Sequence, residues 1–137
     1  MATPERRTAP GTPATHTVAP AAAAGPVPVM APLGWVLILA SGIGLILASW
    51  LLYGAGADGM WAGYRDGVIG TTVVLAAMGL NTTLPQKPLL GICGLAGILL
   101  ILFAVFLDDG NAVFVSELLA GIGLLVGVGL FASGRRD

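Results

Sequence analysis

The chain contains an uninterrupted stretch, Leu33 to Tyr53 (LGWVLILASGIGLILASWLLY), that carries no charged residue. At about 1.5 Å per helical residue it is ~30 Å long, the thickness of the hydrocarbon core of a bilayer. It predicts a membrane-spanning helix. A soluble domain of 137 residues has much surface for its volume and must cover that surface with polar groups, yet 56% of this chain is hydrophobic and 9% charged. Lipid removes that demand, provided each backbone N–H and C=O is paired internally. The apolar runs are continuous instead of alternating with period two, which favours helices over a barrel.

Three further apolar runs follow. Residues 67–84 (GVIGTTVVLAAMGLNTTL) predict a second span, ended by Asn81, Thr82, Thr83 and by Pro85, which cannot continue helical hydrogen bonding. Thr71 and Thr72 are tolerable there because each hydroxyl can bond a carbonyl of the preceding turn. Residues 89–107 (LLGICGLAGILLILFAVFL) and 112–132 (AVFVSELLAGIGLLVGVGLFA) predict the third and fourth spans, separated by the polar turn Asp108-Asp109-Gly110-Asn111. The expected fold is an all-α membrane protein of four transmembrane helices over 33–132. It is flanked by a disordered Pro-, Ala- and Thr-rich tail, 1–32, and a short C-terminus, 133–137. A signal peptide fits the N-terminus less well, because Arg6 and Arg7 are far from Leu33 and the apolar core is too long.

Gly54 to Asp66 (GAGADGMWAGYRD) reads as a glycine-rich loop between the first two spans. Trp50, Tyr53, Trp61 and Tyr64 cluster around it as an interfacial aromatic belt, where amphipathic rings sit at headgroup level. Positive charge is retained on the cytoplasmic side of a plasma membrane. Arg6, Arg7, Lys87, Arg135 and Arg136 fall on one side, and Arg65 falls on the other with Asp58, Asp66, Asp108 and Asp109. Both termini are thus expected to be cytoplasmic, and the Asn81-Thr82-Thr83 sequon would then lie where it is not glycosylated.

The two halves repeat. A shift of 56 lays Pro32-Leu33 on Pro88-Leu89, and a shift of 51 lays Asp66-Gly67-Val68-Ile69-Gly70 on Glu117-Leu118-Leu119-Ala120-Gly121. Each unit, 33–84 and 89–132, would cross the membrane twice, giving two tandem hairpins of the same orientation. The segments LILASWLLYG (Leu45 to Gly54) and DGVIGTTVVLAAMGL (Asp66 to Leu80), with the aromatic-rich loop between them, resemble the SPW-repeat family of small bacterial integral membrane proteins. Ala48-Ser49-Trp50 stands where that family has Ser-Pro-Trp, and Ala104-Val105-Phe106 occupies the same place in the second half. The resemblance implies a location and an architecture, and no chemistry.

Glu117 is the residue best placed to act within the membrane, about 7 Å along a helix that begins near Ala112. A carboxylate there needs the bundle interior, water or a partner. Arg65, the only cation assigned to that side, is the first candidate partner. Asp66 and Glu117 occupy equivalent repeat positions and read as interface-level acids, the first holding a loop and the second snorkelling. The small-residue pairs Gly44 and Ala48, Cys93 and Gly97, and Gly123 and Gly127 are each four apart and would let helices approach closely. Cys93 is the single cysteine and reads as a packing residue.

Catalysis is disfavoured, since His16, the only histidine, lies in the tail and no triad or metal cluster can be assembled. No cofactor is expected. A net charge of −1 without a basic face excludes nucleic acid. The expected partners are the lipid bilayer and either another copy or a different membrane protein, with the chain acting as a non-enzymatic structural or interaction subunit. The alternative is a small ion- or proton-coupled transporter or pore that uses Glu117.

Overall fold

The computed structural model describes residues 28–136. The tail assignment for residues 1–27, with Arg6, Arg7 and His16, lies outside the described residues. Four helices follow in order: α1 (Met30–Leu51), α2 (Ala57–Gly79), α3 (Gln86–Phe106) and α4 (Asn111–Ser133). Among the described residues all regular structure is helical, and α1, α3 and α4 are long and apolar enough to cross a membrane. In α2, Asp58, Arg65 and Asp66 interrupt the apolar run.

Four boundaries differ clearly from the sequence reading. α1 and α3 begin three residues earlier than expected, with Pro32 and Pro88 inside them. A proline in the first turn lacks only an N–H that has no intrahelical acceptor, so it is compatible with the helix start. α2 begins at Ala57, so most of the expected loop, including Trp61, Tyr64, Arg65 and Asp66, is helical. Gly59 and Gly63, two of the glycines that suggested a loop, lie with Gly67 at four-residue spacing on the face of α2 turned to Gly54 and the end of α1. A methyl group on Gly63 would stand 3.4 Å from the Ser49 carbonyl oxygen. At the other end α2 stops at Gly79, not at residue 84, and residues 80–83 form a turn closed by Thr82, whose Oγ1 donates to the Gly79 carbonyl at 2.7 Å.

α1 packs on α2 and α4, and α3 packs on α4 and more lightly on α2. The closest approaches are made by glycines. A methyl on Gly42 would lie 3.2 Å from the Gly70 carbonyl oxygen, and one on Gly70 would lie 2.9 Å from that of Gly42. The same exchange occurs between Gly97 and Gly121, at 3.1 and 2.9 Å. Gly42 corresponds to Gly97 at a shift of 55, one less than the register read from the prolines, and Gly70 corresponds to Gly121 at the expected 51.

Burial follows the same registers. Ile38, Gly42 and Leu45 recur as Cys93, Gly97 and Leu100, while Ala62, Asp66, Gly70, Val73 and Leu80 recur as Val113, Glu117, Gly121, Leu124 and Phe131, all buried. The symmetry fails at one seam. On α1, Gly34 lets α4 come close, so that a methyl there would lie 2.6 Å from the Gly127 carbonyl oxygen. The matching position on α3 is Leu89, whose side chain fills the space beside Gly79 of α2.

Of the expected packing pairs, Cys93 is buried, Gly97 meets α4 and Gly127 meets Gly34 and Ile38. Gly123 leaves room for the Ser41 hydroxyl. Gly44 is a correction, because no atom of another element lies within 4 Å of where its methyl would be. Gly44 and Ala48 instead line an open groove between α1 and α4. The close face of α1 is turned away from them and carries Gly34 and Gly42.

Candidate functional site: a buried carboxylate and guanidinium cluster

The C-terminal end of α1, the first half of α2, the end of α3 and the start of α4 converge on one polar cluster. Its centre is Arg65. Nε donates to Asp66 Oδ1 at 3.2 Å, Nη1 to Asp109 Oδ2 at 3.1 Å, and Nη2 to Glu117 Oε1. The guanidinium also lies over the Phe103 ring, 4.7 Å from its centroid, where the negative face of the ring attracts a cation. Asp66 and Glu117 are 0% and 1% exposed, so Glu117 does not snorkel out of the bundle. Asp66 holds no loop; it stands inside α2 and faces the core.

Tyr53 completes the cluster. It stands two residues past the end of α1, and its hydroxyl donates to Asp66 Oδ2 and lies 2.8 Å from Ser116 Oγ. Ser116 in turn reaches the carbonyls of Ala112 and Val113 at 2.9 Å. Burial of the Tyr53 phenol, and then its hydrogen bond to Asp66, push its pKa above the ordinary tyrosine value, so it remains a donor. Tyr53 therefore belongs to the interior and not to the aromatic belt. Trp50, Trp61 and Tyr64 are exposed.

The cluster has a repeat logic. Arg65-Asp66 on α2 corresponds to Ser116-Glu117 on α4 at the shift of 51. The two acids hold the same guanidinium, and the single arginine between them is what the second half lacks. Every buried side-chain nitrogen or oxygen among the described residues has a hydrogen-bond partner. In a medium without water an orphaned polar group costs several kcal/mol, so a connected network is the form such a cluster must take.

Sequence reasoning named Arg65, Asp66 and Glu117 and missed the parts played by Tyr53, Phe103, Asp109 and Ser116. Only the equivalence of Ser116 with Arg65 could have drawn attention to one of these; the others depend on how the helix ends meet. Among the described residues no group of His, Cys, Asp and Glu side chains is arranged to hold a metal ion.

The opposite end carries smaller polar locks. The Asn81 N–H turns to the Met78 carbonyl, and the Trp35 indole takes the Ala77 carbonyl at 2.7 Å. Arg135 Nη1 donates to Gln86 Oε1 at 2.6 Å while its guanidinium covers Phe131. Comparison with protein-family models, curated proteins and solved structures finds no match.

Proposed function

We propose that the chain is an integral plasma-membrane protein of the SPW-repeat type, a non-enzymatic structural or interaction subunit without cofactor. Its four helices cross the bilayer as two tandem hairpins of the same orientation, with both termini cytoplasmic. The recurrence of buried positions between α1 and α3, and between α2 and α4, supports the tandem arrangement. Large apolar side chains turned outward on each helix, such as Val36, Leu75, Leu95 and Leu119, suit contact with lipid. The observation that carries the functional reading is that Arg65 is fully engaged by Asp66, Asp109 and Glu117, which makes the cluster a clamp that closes one end of the bundle.

Threading is tested by labelling single introduced cysteines in intact cells, with Cys93 replaced. Modification from outside at 58 and 109, and protection at 87 and 135, is expected; the reverse pattern overturns the topology. The partner role is tested at Gly44, which no internal contact uses. Gly44→Leu should leave the fold intact and remove cross-linked neighbours in native membranes. A cross-linking pattern unchanged by that substitution rejects the α1 groove as the contact face.

A transporter reading draws on three carboxyl groups facing one cation in the same cluster. Proteoliposome flux decides between the two: pH-dependent movement of a solute or ion that Glu117→Gln abolishes would replace the structural role with a transport role.

A further inference from the structure

Arg65 offers one positive charge to three carboxyl groups. Asp109 sits in the turn between α3 and α4 and is partly open to solvent, so water stabilises its charge. Asp66 and Glu117 have no such access. Two like charges on one desolvated site are not both sustained by a single counter-charge, and such a pair keeps a proton between its members. The groups that face them are Tyr53 after α1, Arg65 on α2, the Phe103 ring on α3, Asp109 in the α3–α4 turn and Ser116 on α4. None of these except Arg65 brings a positive charge.

The hydrogen bonds say which acid keeps the proton. Asp66 accepts at both oxygens, from Arg65 Nε and from the Tyr53 hydroxyl, and this suits a carboxylate. Glu117 is held by Arg65 through Oε1, which a carboxylic acid also offers as an acceptor through its carbonyl oxygen. A cavity of about 320 Å³ lined by Tyr53, Asp58, Asp109 and Asn111 reaches the cluster at Tyr53 and Asp109.

We propose that Glu117 is the proton-carrying member of a buried Asp66–Glu117 pair, and that it exchanges this proton with water through the cavity over Tyr53 and Asp109. The inference rests on the reading of the cluster as a clamp. Loss of the proton would leave two anions on one guanidinium, so the clamp would loosen as pH rises.

Isotope-edited infrared spectroscopy of the full chain in lipid nanodiscs tests this. Glu5 and Glu117 are the only glutamates, so carboxyl-¹³C glutamate marks two groups. At neutral pH the spectrum should contain the C=O band of an un-ionised carboxylic acid. Carboxyl-¹³C glutamate should shift that band, Glu5→Gln should keep it and Glu117→Gln should abolish it. Asp109→Asn should slow its hydrogen–deuterium exchange several-fold. Absence of the band from the unsubstituted chain at neutral pH, or a shift with labelled aspartate instead, overturns the proposal whatever the variants do. The clamp is tested by the unfolding of Arg65→Ala, which does not read the carboxylic acid band, so the two readings fail separately.

Discussion

Asp66 and Glu117 stand on different helices, 51 residues apart in sequence, and hold the same guanidinium from two sides. Their own backbone hydrogen bonds lie within α2 and α4, so the bond through Arg65 is a tertiary tie at the place where the helices have their polar residues. In lipid there is no hydrophobic drive between helices, and such ties, together with close backbone packing, hold a bundle closed.

Removing the arginine should therefore be the most damaging change in the cluster. Arg65→Ala leaves the Asp66 carboxylate buried without a counter-charge and Glu117 without its donor, and a cost of about 3–5 kcal/mol is expected. Arg65→Lys should recover part of it, because an ammonium restores the charge without the fork that reaches three carboxyl groups. Reversible unfolding in mixed micelles measures both. A loss below about 1 kcal/mol for Arg65→Ala would show that the cluster does not clamp the bundle.

Tyr53→Phe removes the donor to Asp66 and the contact to Ser116, at an expected cost of about 1–3 kcal/mol. Tyr64→Phe, on an exposed ring, should change little. The variant also has a pH signature. With the folded pKa raised above the unfolded value, the folded state keeps the phenolic proton longer, so this contribution is intact below about pH 10 and is lost as pH rises beyond it. Unfolding followed into the alkaline range should therefore fall more steeply for the unsubstituted chain than for Tyr53→Phe.

Glycine positions should separate sharply. Gly34→Val drives a side chain into the backbone of α4, and Gly121→Val meets Ile101 and the Gly97 carbonyl, so each should cost about 1–3 kcal/mol or more. Gly44→Val meets nothing and should be neutral to within about 0.5 kcal/mol. Equal losses at Gly34 and Gly44 would contradict the packing of α1 on α4.

Trp35→Phe keeps the ring and removes the indole donor that satisfies the Ala77 carbonyl at the end of α2. The expected loss is about 1–3 kcal/mol, with faster amide exchange at residues 80–82. Unchanged exchange there would mean that the bond does not hold the helix end.

What the sequence determined by itself is what local composition controls. Long apolar runs from Leu33, Leu89 and Ala112 specify helices suited to lipid, because a helix is the segment that pairs its own backbone. The near neighbours Thr71 and Gly67, and Thr72 and Val68, were also legible, since each hydroxyl bonds a carbonyl four residues back. Tertiary packing decided which face of each rod is inside. Gly34 and Gly42 outrank Gly44 because α4 and α2 approach α1 on that side, and Gly59 and Gly63 are helical because α2 uses their bare face to reach the end of α1. Tyr53 turned inward for the same kind of reason: its direction is set by where the Asp66 carboxylate lies once two helices have met, and no spacing along the chain encodes that meeting.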